Sequence, residues 1–527
     1  MLILYRYVDI FAQYNTIAFN PNSLPVEGAT DFLWMVILTL LHKIGFDPYF
    51  TSQLLNSISL FFILKIIFNE IIPKQSVIIY IIVGIVFLNI GPIVASSILG
   101  FSSLTFCFLL LAIYIFALKT NYLYWTILSI LFCLLRPEAF IFFLPTILII
   151  YYKTNRSDVR KFYRFLFIII SFGLTYFAWR YWYFKEFLPT PIIVKSIGGE
   201  TSFTRYFARM SEVLSTFVIA QVFLIFLYFI SNFKNSIRGK NNIFNLVLIT
   251  LPFILVYIFM LSTGHASQNI FFRYFSPIYL ALFLFTLLII NDLKRNKLLI
   301  YIITFFLCLT SIDQSNLLNR TIGIENKLVA NPSTKLLKYY SNEIHPITHV
   351  GLSLEKFKSN LTIMLTEAGN IPYFSKKFSI DMAGLNTANY AKEPVKCEDF
   401  ISSKPDIIEI DVGPVDYFYY DKIINDKEMP SCGIVNKKNI LNDPTKVRID
   451  KLFLIDSYTN DYFIENHKNA TVSVAANNTL YCMNKNKDFN HIFFNKKSDQ
   501  IYFYKSEEIG ELLMTSCDLK LKGYFLD

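Results

Sequence analysis

The feature that most constrains this chain is a series of uncharged apolar runs, each close to the roughly 20 residues that a bilayer-spanning helix needs. Lipid satisfies no backbone polar group, so only helices and closed barrels cross it. A barrel strand alternates apolar and polar side chains, and these runs do not. Spans are predicted at Ser52–Phe68, Val77–Ile93, Gly100–Leu118, Tyr122–Leu135, Ala139–Tyr152, Phe165–Tyr183, Val213–Ile230, Phe244–Leu261, Phe275–Ile290 and Leu298–Thr310, about ten in all. Read as one helix, the run through Arg136-Pro137-Glu138 would measure roughly 46 Å at 1.5 Å per residue, too long for a hydrocarbon core of about 30 Å. A hairpin at Pro137 is expected instead.

Only 17% of the 527 residues are charged and 54% are hydrophobic, and an apolar excess of that size has to face lipid. A net charge of +10 could suggest nucleic acid, but the basic residues sit in short loops between apolar runs. Lys153, Arg156, Arg160, Lys161 and Arg164 fill one loop, Lys234, Arg238 and Lys240 another, and Lys294, Arg295 and Lys297 a third. That pattern marks the cytoplasmic face of a membrane and makes lipid, not nucleic acid, the partner. The N-terminal segment, the Lys185 to Met210 and Ser262 to Arg273 loops and everything after Ser311 are then expected outside.

The expected architecture is a polytopic all-α membrane domain over 1–311, with 1–51 as part of a first outward loop, and a soluble extracytoplasmic α/β domain over 312–527. Asp406 to Val412 reads as a strand and Ser333 to Tyr340 as a helical piece. Cys397, Cys432, Cys482 and Cys517 lie in the polar part, compatible with two disulfides in three possible pairings. No cysteine or histidine spacing marks a zinc site.

Several short motifs follow one another along the chain. They are Arg6-Tyr7, Phe19-Asn20-Pro21 and Val26-Glu27-Gly28-Ala29-Thr30-Asp31-Phe32-Leu33-Trp34, then Leu135-Arg136-Pro137-Glu138, then Arg180 with Leu188-Pro189-Thr190-Pro191 and Lys195, then Arg273-Tyr274 before Pro277. Ala368-Gly369-Asn370-Ile371-Pro372-Tyr373 and Ile380-Asp381-Met382-Ala383-Gly384-Leu385-Asn386 close the series. Together they resemble the GT-C glycosyltransferases, in particular the family of the mycobacterial terminal β-(1→2)-arabinofuranosyltransferase. The resemblance implies a GT-C fold in a bacterial inner membrane and transfer of a sugar from a polyprenyl-phosphate donor. The implied acceptor is an envelope glycan or lipid, as in lipopolysaccharide or polysaccharide synthesis.

Displacement at an anomeric carbon needs a carboxylate to take the acceptor's proton, and Asp9 and Glu27 are the candidates. The departing phosphate needs positive charge, for which Arg136, Arg180, Lys195, His265 and Arg273 are the candidates. Asn20 and Glu138 are assigned acceptor or structural roles. A divalent metal is left open as a cofactor, with no ligands assigned. No Gly-rich phosphate loop and no nucleotide-sugar Asp-x-Asp site occurs, which argues against a cytoplasmic nucleotide-dependent enzyme.

The sequence also departs from the family pattern. The family's acidic pair and first membrane helix would precede Arg6, where only Met1 to Tyr5 stand, so two readings compete: a truncated or mis-assigned start, or a genuine variant whose base has moved to Asp9 or Glu27 or is gone. Ser102 stands where relatives often have Glu, Pro191 replaces the Thr of Pro-Asn-Thr, and Gly264-His265 occupies a Gly-Gly-Asp region without the Asp. The rival readings are a lipid-linked glycan transporter or flippase and an inactive envelope-assembly subunit.

Overall fold

The computed structural model describes residues 1–73, 75–197, 216–231, 242–262, 270–292, 297–321, 346–411, 432–436, 488–489, 491–495 and 500–518, with positions 475, 479, 482 and 483. The helical piece expected at Ser333 to Tyr340 lies outside them. The chain divides into two compact units, one of Asp31–Trp182 and Gly199–Lys335, the other of Met1–Thr30, Tyr183–Gly198 and Leu336–Asp527.

The first unit is helical: α2 (Phe32–Lys43), α3 (Pro48–Ile66, extended by a π-turn to Ile71), α4 (Val77–Leu88), α5 (Gly91–Ile98), α6 (Ser103–Leu118), α7 (Tyr122–Leu135), α8 (Ala139–Lys153) and α9 (Val159–Phe184), followed by helices Thr216–Ser231, Asn242–Ser262, Ser276–Asp292 and Lys297–Thr321. Among the described residues, three helical stretches are long and apolar enough to cross a membrane, Pro48–Ile71, Arg156–Phe184 and Arg273–Asp292. The span expected at Val77 to Ile93 is instead two helices, α4 and α5, bent by 64°. The break falls where Gly91-Pro92 withdraws a backbone donor. The other apolar helices among the described residues are shorter, 10–17 residues, so the structure carries a membrane-spanning character with three such stretches, or four if the bent pair is one span, and does not establish the expected count of about ten. The hairpin expected at Pro137 is there: α7 stops at Leu135, and Arg136 is extended at φ −151°, ψ 143°, the conformation a following proline imposes.

Polar side chains join these helices where lipid offers no hydrogen bonds. Asn56 Nδ2 donates to the Ser97 and Phe101 carbonyls at 3.2 and 2.9 Å, and Gln53 donates to the Ile98 carbonyl. These amides bond carbonyls at the end of α5 and in the turn that follows it. Phe61, Ile78, Phe167 and Leu174 are exposed, as side chains bathed in lipid would be.

The second unit carries a mixed sheet in the order β2-β1-β3-β6-β5-β4, formed by β1 (Thr362–Leu365), β2 (Phe378–Asp381), β3 (Ile407–Asp411), β4 (Cys432–Asn436), β5 (His491–Asn495) and β6 (Gln500–Tyr504). β1 runs parallel to β2 and β3, and the remaining pairs are antiparallel. The strand expected at Asp406 to Val412 is β3. It is central, and Ile407, Ile408, Glu409 and Ile410 are all buried. The Glu409 carboxylate is satisfied by the Thr366 and Glu367 backbone N–H groups at 2.8 and 3.0 Å and by Gln500 Nε2 at 2.8 Å. Cys397 and Cys482 form a disulfide across 85 residues of chain, and Cys517 is disulfide-bonded as well. Closing a loop of that size removes about 4–5 kcal/mol of unfolded-chain entropy.

The first 30 residues, read from sequence as part of the membrane domain's outward loop, fold into this second unit. Helix α1 (Leu2–Tyr14) lies against helix Asn370–Ser375. Arg6 donates to the Phe19 carbonyl at 2.7 Å, to Asn20 Oδ1 at 2.8 Å, to the Lys377 carbonyl at 2.8 Å and to the Pro372 carbonyl. Burial lowers its pKa to about 10. Asn20 pairs with both backbone groups of Ser379, at 2.8 and 2.9 Å, and so occupies the outer edge of β2 as a neighbouring strand would. Asp381 accepts from the Ala383 and Asn386 backbone at 2.9 and 2.8 Å and shapes the turn against which Gly28 packs.

Two outcomes are expected. A Cβ at Gly28 would fall on Asn386 Oδ1, the Tyr7 hydroxyl and the Leu385 carbonyl, whereas one at Gly173 meets nothing within 4 Å. Gly28→Ala should therefore cost about 2–4 kcal/mol and Gly173→Ala little, read by thermal unfolding of the purified chain in detergent. Burial also pushes the Asp381 carboxyl from 3.8 up to about 6. The folded state then holds that proton more tightly than the unfolded state, so this group's contribution to stability falls as pH rises from about 4 to about 6. Melting temperatures across that window should decline less in Asp381→Asn than in the native chain.

Candidate functional site

In the membrane unit one end of the helix bundle gathers charge. Helices α2, α6, α8 and Ser276–Asp292 begin there, and α7 ends there. Phe32 at the start of α2 lies 5.2 and 5.6 Å from Tyr176 and Trp179 of α9, which brings the end of α9 to the same place. Gly100, with φ +86°, makes the left-handed turn between α5 and α6 that a side chain would resist. Its carbonyl accepts from Trp34 Nε1 at 3.2 Å.

Arg136 is the centre of this end. Its side chain leaves the extended residue before Pro137, is 5% exposed, and meets Glu138 Oε1 at 2.7 Å through Nη2. Its Nε stands 3.9 Å from Asp31 Oδ1, and Asp31 Oδ2 accepts the Ser102 hydroxyl at 2.7 Å. The guanidinium lies 5.4 Å from the Phe106 ring and 5.7 Å from the Tyr274 ring. Arg273, on a 3-10 turn over Ile270–Phe275, lies 3.9 Å from the Phe101 ring and donates to the Tyr274 hydroxyl at 3.0 Å. Tyr257 fixes that turn by donating to the Tyr274 carbonyl at 2.8 Å. Arg136 Nε and Arg273 Nε are buried without a hydrogen-bond partner.

The expected site residues divide between the two units. Arg136, Glu138 and Arg273 come together as described, and Arg180, 4% exposed, lies on the last turns of α9 with its guanidinium 6.0 Å from the Phe177 ring. Asp9 and Glu27 belong to the other unit. Asp9 is half-buried on α1 and acts electrostatically on Arg6. Glu27 is buried, and its carbonyl accepts the Thr190 hydroxyl at 3.1 Å. Asn20 is the edge clamp on β2. Lys195 lies in α10 (Thr190–Ile197), and its side chain is not among the described parts; His265 lies outside the described residues. Among those residues no group of three or more His, Cys, Asp or Glu could hold a metal ion.

Sequence reasoning passed over Asp31 and treated Ser102 only as a departure from the family. The available signal was an acidic residue directly before an apolar helix, but the contact with Arg136 spans more than a hundred residues. Arg136→Met is expected to cost about 3–5 kcal/mol, because two carboxylates would remain beside a lost counter-charge. Adding Glu138→Gln should recover part of that loss, as monitored by thermal loss of the monodisperse protein in detergent.

A family model described as a domain of unknown function (DUF8728) matches residues 338–478, within the sheet-bearing unit. No curated protein matches the chain.

Proposed function

We propose that this chain is a membrane glycosyltransferase that moves a pentose or hexose from a polyprenyl-phosphate carrier to a cell-envelope glycan or lipid acceptor. The observation that supports it is buried Arg136 gathered with the part-buried Arg273, Asp31 and Glu138 at one end of an apolar helix bundle. A lipid-linked donor keeps its tail in the bilayer and its phosphate at the interface, so its leaving group needs fixed positive charge there. Two guanidiniums supply that charge, and each has a buried Nε with no hydrogen-bond partner. The amino ends of α2, α6 and α8 add partial positive charge to the same place. We place the protein in a bacterial inner membrane with the sheet-bearing unit outside the cytoplasm. The Cys397–Cys482 bond and the basic residues clustered in sequence between apolar runs favour that orientation.

The 64° break between α4 and α5 favours a second reading, a transporter of lipid-linked glycans, since broken helices line many transport sites. One experiment separates the two. Proteoliposomes holding the full chain and envelope acceptor receive radiolabelled polyprenyl-phosphate pentose or hexose. Transfer to the acceptor is expected, and Arg273→Gln should lower it on the order of 100-fold at unchanged folded yield. Label that crosses the bilayer without transfer would establish the transporter instead.

A further inference from the structure

Helix α9 completes the stretch Arg156–Phe184, which is long and apolar enough to cross a membrane. Its last turns are aromatic, with Trp179, Tyr181, Trp182, Tyr183 and Phe184, and Tyr181 and Trp182 are exposed. Such side chains gather where a span leaves the hydrocarbon for the head groups. Lys185 then takes the left-handed conformation at φ +60°, which ends the helix. The sheet-bearing unit takes up the chain again at Tyr183. When α9 crosses a bilayer, the residues directly after it are held at that surface by the covalent chain.

Two segments of the sheet-bearing unit meet at this point. The Tyr183 hydroxyl accepts the Ile17 N–H at 3.0 Å, and the Thr190 hydroxyl donates to the Glu27 carbonyl at 3.1 Å. Between these two anchors the Val26 N–H donates to the Ile17 carbonyl at 3.1 Å and closes the base of a loop over 18–25. Neither segment is charged: residues 10–26 and 187–194 contain no Asp, Glu, Lys or Arg. Leu24 on the loop is 84% exposed, more than any other large apolar side chain among the described residues, and Phe187 is 65% exposed. A loop that faces water ordinarily carries charge. Uncharged loops that present a leucine and a phenylalanine beside an aromatic belt match the head-group region of a bilayer.

We infer that the 18–25 loop and the Phe187-Leu188 turn dock on the lipid bilayer, with Leu24 and Phe187 inserted at the boundary of head groups and acyl chains. The inference requires that α9 spans a membrane and is independent of the glycosyltransferase reading. Two apolar side chains hold a free protein to lipid only weakly. Here they act on a unit already tethered by α9, at the high effective concentration of an intramolecular contact, and so fix its tilt. Asn20 of the same loop pairs with Ser379, so the β2 edge of the sheet is the edge that faces lipid. β4 is the opposite edge of the six-stranded sheet, about 24 Å away at the usual strand spacing.

The test places the photoreactive residue p-benzoylphenylalanine singly at Leu24, Phe187, Phe167 or Ile434 of the full chain. All four side chains are exposed, so the replacement removes no packed group. The purified variants are reconstituted into vesicles of phosphatidylethanolamine and phosphatidylglycerol with tritiated acyl chains. Phe167 on α9 is the lipid-facing reference and Ile434 on β4 the far-edge control. After irradiation, positions 24 and 187 should carry lipid label within about threefold of position 167 and on the order of tenfold above position 434. Adding Leu24→Asp to the chain with the probe at 187 should lower the label there several-fold and leave that at 167 unchanged. Label at 24 and 187 no higher than at 434, or label at 187 untouched by Leu24→Asp, would overturn the inference. A photoproduct of twice the chain's mass from position 24 would overturn it in favour of a second copy as the occupant.

Discussion

A guanidinium withdrawn from water at the end of an apolar helix bundle is stable only beside counter-charge, and Arg136 sets that condition for the membrane unit. Removing such an ion from water costs several kcal/mol, and carboxylates in contact offset the cost only with good geometry and further hydrogen bonds. Arg136 obtains its counter-charge from Glu138, two residues away, and Asp31, on a different helix. Asp31 can serve only if the start of α2 lies against the turn between α7 and α8. Ser102 can reach Asp31 only if α6 begins beside them. One buried charge therefore draws three helix starts together, and the aromatic faces of Phe106 and Tyr274 complete its surroundings.

Arg6 imposes a similar condition on the sheet-bearing unit, with neutral partners in place of carboxylates. Carbonyls of Phe19, Pro372 and Lys377 and the Asn20 amide receive its donors, so the start of the chain is held to a segment more than 350 residues away. The close approach of Gly28 to the turn shaped by Asp381 extends the same attachment. Several of the short motifs that drew notice in the sequence meet here. Their residue types answer to packing and hydrogen bonding, whereas the charged cluster of the membrane unit carries the chemistry proposed for the protein.

Much of the fold was legible locally. The hairpin at Pro137 follows from one residue's restricted backbone, and β3 from a short run of β-branched residues. Other elements were not legible. The run from Val77 to Ile93 is apolar throughout, and hydropathy does not register a bend at Gly91-Pro92. Glu409 looks like the solvent side of a half-exposed strand, yet it is buried because its hydrogen-bond partners come from the turn after β1 and from β6. Arg136, Glu138 and Arg273 could be named as candidates because charge beside an apolar helix is costly wherever it occurs. Asp31 could not, since an acidic residue before a helix ordinarily caps it.

The sequence by itself determined that this chain contains long apolar helices and a polar part able to form a sheet, because hydropathy and backbone preference act over a few residues at a time. Only the tertiary structure decided that Met1–Thr30 folds with the C-terminal segment, that Cys397 bonds Cys482, and that Asp31 and Ser102 stand beside Arg136. Those outcomes depend on which distant groups satisfy a buried charge, amide or thiol, and the spacing of residues along the chain does not encode that choice locally.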